Sequence, residues 1–347
     1  MKVKNIIILA SLILGSQFAH SANVQDSIFI QKFPTKMMLK PFMAHNFMAI
    51  NYDLPRSMPV LTFKPNNSFD FGLGLSYKWF SISYAIGVFD VGDPKKYGKT
   101  TDMDFVIHVF AKKHVADIAY QNYKGFYISN IGDVVRNWSD TSPYPQRRDL
   151  EINSVTLNYQ YEFNGKKLSY VSAFGQTEKQ LRSVGSPIVG VTFSYFDMHS
   201  DSTLLPINHN KKDSLKPDDH FVTGNFICPG IKAGYAYNLV IAKNLAIFMS
   251  LVPGMTFEIN EFYNKDEFKK PTKDGTRKPT SSLKANFQVH GRFAAVYQRD
   301  RFMFGGSFYP QYYTHKLKEA GFSFFTARAE IFFGYRFDAP KFLRGKH

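Results

Sequence analysis

The stretch Ser68-Phe69-Asp70-Phe71-Gly72-Leu73-Gly74-Leu75-Ser76-Tyr77-Lys78 alternates without a break. Phe69, Phe71, Leu73, Leu75 and Tyr77 share one face, and Ser68, Asp70, Gly72, Gly74, Ser76 and Lys78 the other. Side chains of an extended chain point to opposite faces in turn, so this is a strand with one apolar and one polar side. The next segment repeats the pattern, with Phe80, Ile82, Tyr84, Ile86 and Val88 against Ser81, Ser83, Ala85 and Gly87. Downstream, Val155, Leu157, Tyr159 and Tyr161 oppose Ser154, Thr156, Asn158, Gln160 and Glu162. Phe287, Val289 and Phe293 oppose Asn286, Gln288, His290 and Arg292, and near the end Ile331, Phe333 and Tyr335 oppose Arg328, Glu330 and Arg336. A half-buried soluble strand alternates too. Strands of about 10 residues, repeated along a whole chain, fit a membrane wall better.

Composition points the same way. Aromatic residues make up 16% of the 347, with 35 Phe and 20 Tyr, yet the mean hydropathy is −0.25. A barrel wall reconciles the two, because aromatics face lipid while alternate polar residues face the lumen. Short polar turns (Lys112-Lys113, Asn164-Gly165-Lys166, Lys243-Asn244, Arg299-Asp300-Arg301) contrast with long polar connections over 90–102, 124–150, 200–220 and 261–280. Such sorting is the usual layout of outer-membrane barrels, with the long loops extracellular. The expected fold class is therefore all-β, a transmembrane antiparallel up-and-down β-barrel.

Counting is less direct. The alternation gives about 13 segments, running from 42–51 to 321–337 and including 168–177, whereas bacterial single-chain barrels use even numbers. The mismatch is expected between Pro187 and Val240. Treating the first segment as a plug or tether gives about 12 strands, the preferred count within a range of about 10–14; a further strand hidden in 200–226 would give about 14.

The N-terminus reads as an export signal. Lys2 and Lys4 precede the apolar run Ile6 to Leu14, and Ala19-His20-Ser21 ends in the small-x-small pattern of a cleavage site. Residues 1–21 are expected to be removed, leaving 22–347 as one barrel domain. Cys228 is the only cysteine, so no intramolecular disulfide forms. At the other end, Phe332-Phe333-Gly334-Tyr335-Arg336-Phe337 has the glycine and alternating aromatics of a terminal strand read by barrel-assembly machinery, although Asp338 to His347 follow it.

Two further stretches carry a resemblance. Pro65-Asn66-Asn67-Ser68, leading into Gly72 to Trp79, and Tyr120-Gln121 with Tyr123-Lys124-Gly125-Phe126-Tyr127 resemble an uncharacterised Bacteroidota outer-membrane family, domain of unknown function 4421. The resemblance implies a barrel and a bacterial group, and brings no catalytic residues.

Motifs for chemistry are absent from the text of the sequence. No His-x-x-x-His or Cys-x-x-Cys spacing occurs, Gly72-Leu73-Gly74 lacks the third glycine of a nucleotide loop, and neither metal nor cofactor is expected. His199-Ser200-Asp201, or His108, would be the place for a lipid hydrolase. Consecutive strand residues face opposite ways, so His199 and Ser200 do not meet, and an enzyme is only the weakest reading.

Alternation instead directs Asp104, His108, Asp117, Asn158, Glu162, His290, Arg292, Arg328, Glu330 and Arg336 toward the lumen. They line either a polar channel with a charge filter or a closed interior of paired charges. The net charge of +15 gathers in loops, with Lys269, Lys270, Lys273, Arg277 and Lys278 in one and Lys211, Lys212 and Lys216 in another. Such loops suit lipopolysaccharide phosphates or anionic solutes. Export and the separation of aromatics from basic loops exclude nucleic acid. Two functions follow as expectations: a pore or binding barrel for small polar or anionic solutes, or a sealed barrel whose loops hold outer-membrane lipid, lipopolysaccharide, polysaccharide or an envelope partner.

Overall fold

The computed structural model describes residues 28–53, 59–134, 138–139, 143–201, 204, 221–264, 280–316 and 321–343. The segment 1–21, expected to be an export signal, lies outside them. Fifteen strands follow one another: β1 (Ile30–Lys32), β2 (Lys36–Asp53), β3 (Leu61–Lys64), β4 (Ser68–Tyr77), β5 (Phe80–Asp90), β6 (Thr101–Ala111), β7 (His114–Ile128), β8 (Gln146–Glu162), β9 (Glu178–Gln180), β10 (Val184–His199), β11 (Phe221–Ala242), β12 (Leu245–Asn264), β13 (Thr280–Arg299), β14 (Phe302–Lys316) and β15 (Gly321–Asp338). Twelve of them form a closed antiparallel ring in the order β2-β4-β5-β6-β7-β8-β10-β11-β12-β13-β14-β15, with β15 paired back onto β2 from Gly321↔Asp53 to Asp338↔Lys36. Closure gives every ring strand a neighbour on both sides, the condition for strands to cross lipid, with β5 and β6 parting toward one end.

The outer face is apolar and open. Phe71, Leu73, Ile231, Leu251 and Ile331 are 48–76% exposed, which only a lipid environment makes favourable for so many large side chains in register. One rim, the turn rim, carries the tight connections at Lys78-Trp79, Lys112-Lys113, Lys243-Asn244 and Asp300-Arg301. Lys78, Lys112 and Asp300 adopt positive φ there, as two-residue hairpin turns demand. Most long connections leave from the opposite rim, the loop rim, but one, 163–183 between β8 and β10, leaves from the turn rim, so Asn164-Gly165-Lys166 opens a long insertion and not the short turn expected of it.

The count of 12 holds, but not for the reason the sequence offered. The segment expected to be a plug or tether, 42–51, belongs to ring strand β2. The surplus segment is 168–177, which folds into the barrel as a plug around a short helix, Val171–Phe174. The mismatch thus falls between β8 and β10, upstream of the stretch where it was expected. Leu168, Tyr170, Val171, Ala173 and Phe174 are all buried, together with Ser169 and Ser172. A segment with no face left for lipid cannot sit in the wall. β9 continues the plug and pairs with β1, so the N-terminal segment is drawn in beneath the barrel.

The interior is filled in layers. At the turn end Phe42, Phe110, Leu168, Tyr170, Phe174, Phe248 and Phe332 form one apolar cluster. At the loop end Tyr52, Phe63, Phe196, Phe226, Phe322 and Phe324 form another. Polar residues occupy the middle.

Candidate functional site

The middle layer is built from inward positions of nearly every ring strand, and it falls into two networks. In the first, Asn46 of β2 donates its amide to Asp70 of β4 at 2.8 Å and to Asp104 of β6 at 2.6 Å. Arg328 of β15 donates to the Asn46 carbonyl oxygen at 3.0 Å and lies 3.8 Å from Asp70, 3.5 Å from Asp104 and 3.8 Å from Glu330. Lys40 of β2 holds the other Glu330 oxygen at 2.6 Å. Gln121 and the Tyr123 hydroxyl donate to Asp104 at 2.8 and 3.0 Å. Three acids thus share two cations and three neutral donors. Buried charges persist only when paired and hydrogen-bonded in this way.

The second network crosses the lumen. Arg292 of β13 pairs with Asp117 of β7, nearly opposite in the ring, and His108 meets the other Asp117 oxygen through Nδ1 at 2.6 Å. Lys232 donates to Asn158 at 2.9 Å, and His290 Nε2 contacts Gln288 at 3.1 Å, which in turn meets Thr192. Asp104, His108, Asp117, Asn158, His290, Arg292, Arg328 and Glu330 therefore stand in these two networks.

Two of the anticipated residues lie elsewhere. Glu162 sits lower, buried, with Oε2 lacking a hydrogen-bond partner, on the wall of a cleft of about 410 Å³ at the turn rim that also touches Phe33, Lys113, His114, Leu168 and Tyr170. Burial raises the Tyr170 hydroxyl above its ordinary range, and the Glu162 carboxylate adds to this. Arg336 clamps the plug: it donates to the Gln176 carbonyl at 2.8 Å and to Gln298 at 2.6 Å, with its guanidinium 3.9 Å over the Phe33 ring. The basic positions Lys269, Lys270, Lys273, Arg277 and Lys278 lie outside the described residues, as do Lys211, Lys212 and Lys216. His199 is exposed and Ser200 buried.

Sequence reasoning passed over Lys40, Lys232, Glu258 and His315. Lys40 alternates with Phe42 and Ala44 but lies just before the segment 42–51, in the part of β2 that the alternation does not mark. Two clusters among the described residues have metal-ligand chemistry, each with ligand atoms within 4.8 Å: Asp70, Asp102 and Asp104, and Cys228, Glu258 and His315. In the first, the Arg328 guanidinium already supplies positive charge.

This layered, plugged, twelve-stranded interior defines a transmembrane β-barrel, and the sequence profile of one family matches residues 24–337 of it. The chain belongs to the family described as Domain of unknown function (DUF4421). No curated protein matches it. Among solved structures, the outer membrane protease OmpT from Escherichia coli aligns with 8% identity over 88% of this chain and 98% of its own, at a TM-score of 0.39. The outer membrane protein OprG from Pseudomonas aeruginosa aligns with 10% identity over 89% and 98%, at 0.25. The Pseudomonas putida toluene transporter TodX aligns with 6% identity over 86% and 89%, at 0.26.

Proposed function

We propose that this is an exported outer-membrane protein with its turn rim in the periplasm, a sealed lumen and a binding function carried by the extracellular loop rim. The Arg292–Asp117 tie across the middle of the ring, between two apolar clusters, is the observation that carries the reading. A solute path would need to break that pair in a low-dielectric interior and displace aromatic side chains at both ends, at a cost far above thermal energy. The basic loop residues, Lys269 to Lys278 above all, supply charge for lipopolysaccharide phosphates or acidic polysaccharide. Residues 1–21 direct export and are removed in the course of it, and the aromatic terminal strand β15 engages the barrel-assembly machinery.

Planar-bilayer recording of the purified mature chain tests the sealed lumen. No sustained conductance steps are expected, and regular open-state steps from the wild-type protein would overturn the proposal in favour of a solute pore. Binding to lipopolysaccharide-containing vesicles, compared with zwitterionic ones, tests the loops. Replacing Lys269, Lys270, Lys273, Arg277 and Lys278 by Gln should abolish that preference, and an unchanged preference removes the loops from the proposal.

A further inference from the structure

Just above the polar layer, four consecutive ring strands each send one inward side chain to the same place. Cys228 on β11 lies opposite Glu258 on β12, since Ile227↔Ile259 and Gly230↔Thr256 flank them in one register. Thr256↔Asn286 sets Asn286 of β13 one inward step from Glu258, and Gln288↔Tyr313 sets His315 of β14 beside Asn286. His315 Nδ1 is 2.7 Å from Glu258 Oε2 and 3.9 Å from Cys228 Sγ. Asn286 Nδ2 donates to the same Glu258 oxygen at 2.7 Å.

All four are at most 4% exposed, so water does not account for the convergence. Two polar atoms are left over: His315 Nε2 and Asn286 Oδ1 are buried without a hydrogen-bond partner. The group is no hydrolytic triad. A relay needs the imidazole to face the nucleophile with one nitrogen and the carboxylate with the other, and here Nδ1 faces both. What remains is a thiol sulfur, an imidazole nitrogen and a carboxylate oxygen around one point.

We propose that Cys228, Glu258 and His315 bind a transition-metal ion of the Zn²⁺ class, with Asn286 beside the remaining coordination position. Tetrahedral zinc with bonds of roughly 2.0–2.3 Å keeps its ligand atoms roughly 3.3–3.7 Å apart. The contacts of 2.7 and 3.9 Å straddle that range, so a small turn of the His315 ring away from Glu258 and toward Cys228 equalises them. Sulfur with imidazole selects against Mg²⁺ and Ca²⁺, which take oxygen ligands. On loading, the Cys228 S–H bond gives way to an S–metal bond and its proton leaves to solvent; no electron is transferred. Rotation of the Asn286 amide turns Oδ1, now without a partner, toward the ion. Bound there, the metal fastens β11, β12, β13 and β14 at the foot of the connection that carries the basic residues 269–278.

The test uses the mature full chain, folded in detergent without a histidine tag, and Co²⁺ as the probe. A single Co²⁺ per chain should survive dialysis, with visible d–d bands of a tetrahedral site and a near-ultraviolet sulfur-to-metal charge-transfer band. Zn²⁺ should displace it. Cys228→Ser, isosteric and suited to a buried position, should remove the charge-transfer band, and His315→Gln should lower retained metal at least tenfold. Folding of each variant is checked by the resistance of the barrel to unfolding in unheated detergent gels. Failure of the folded wild type to retain Co²⁺, or a charge-transfer band that persists in Cys228→Ser, overturns the assignment.

Discussion

The ring has a short arc and a long arc. β4, β5 and β6 contain 10, 11 and 11 residues, whereas β11, β12 and β13 contain 22, 20 and 20. A strand needs about 9–11 residues to cross hydrocarbon, so the short arc stops about where the bilayer does. The long arc continues by about 10 residues, some 30 Å of chain along its tilt. The missing height on the short side is patched by β3, which pairs with β2 at Tyr52↔Leu61 and with β7 at Phe63↔Ile128, passing over the ends of β4 to β6. The two arcs also fill the lumen differently. The short arc turns Asp70, Gly72, Gly74, Ser76 and Ser81 inward, and its space is taken by side chains from elsewhere, such as Phe42 and Arg328. The long arc turns Phe226, Cys228, Phe248, Glu258 and Arg292 inward. Bulk on one side answers small residues on the other, which is how a ring of this size becomes a packed interior.

The largest expected effect comes from cutting the tie that joins the long arc to the far side. Arg292→Ala leaves Asp117 buried with His108 as its remaining ion-pair partner, and removing one member of a buried pair costs about 3–5 kcal/mol. Denaturant unfolding of the detergent-folded barrel measures it. Arg292→Met combined with Asp117→Leu should recover most of the loss, because an apolar pair carries no stranded charge. If the double variant is as unstable as the single one, the pair contributes more than charge balance.

Next in size is the difference between the arcs on their lipid face. Leu73 sits mid-strand on β4 at 53% exposure, and Ile241 lies at the same 53% close to the turn after β11. Arginine costs about 2–4 kcal/mol at a bilayer midplane and about 0–1 near an interface. Leu73→Arg should therefore destabilise the barrel in lipid vesicles much more than Ile241→Arg. Equal losses would mean that the hydrocarbon is centred elsewhere on the wall. A smaller loss is expected from Gly72→Val. The Phe42 ring lies over this glycine, and a Cβ placed there would fall 2.1–2.8 Å from its atoms. Displacing the ring costs about 1–3 kcal/mol, and Phe42→Leu in the same chain should relieve part of it.

Much of this was legible in the sequence, because a period of two with one greasy face is a local property. The strands with clean alternation, β4, β8 and β13, were read with their faces. Ends and exceptions were not. The loop-end cluster uses Phe196, Phe226, Phe322 and Phe324 facing inward, so those stretches are apolar on both faces and alternation is silent there. The plug is hidden for the same reason: Leu168, Tyr170 and Phe174 look like wall text until burial on every side excludes lipid. The pairing of Arg292 with Asp117, and the meeting of Cys228, Glu258 and His315, depend on which strands face each other across the ring. That is set by closure and register, and no spacing along the chain encodes it.

The smallest expected effect concerns the seam inside the short arc. β5 and β6 pair only from Phe80↔Val109 to Tyr84↔Phe105. Beyond this β5 stays paired to β4 up to Asp90, and β6 stays paired to β7 down to Thr101, so the two strands diverge into a notch open toward the loop rim. Unpaired backbone groups are costly in hydrocarbon, so the notch belongs at headgroup level, where water and lipid esters satisfy them. Amide exchange in nanodiscs reads this out. The amides of residues 85–90 should exchange about 10-fold or more faster than those of β12 at equal distance from the turn rim, a difference of ~1.4 kcal/mol or more in opening free energy. Ser83 and Val106 face each other within the paired part, whereas Gly87 has no partner on β6. A disulfide from Ser83→Cys with Val106→Cys should form readily and leave exchange above it fast. If residues 85–90 are protected as strongly as β12, the strands close further in a bilayer than their register here allows, and the short arc is as continuous a wall as the long one.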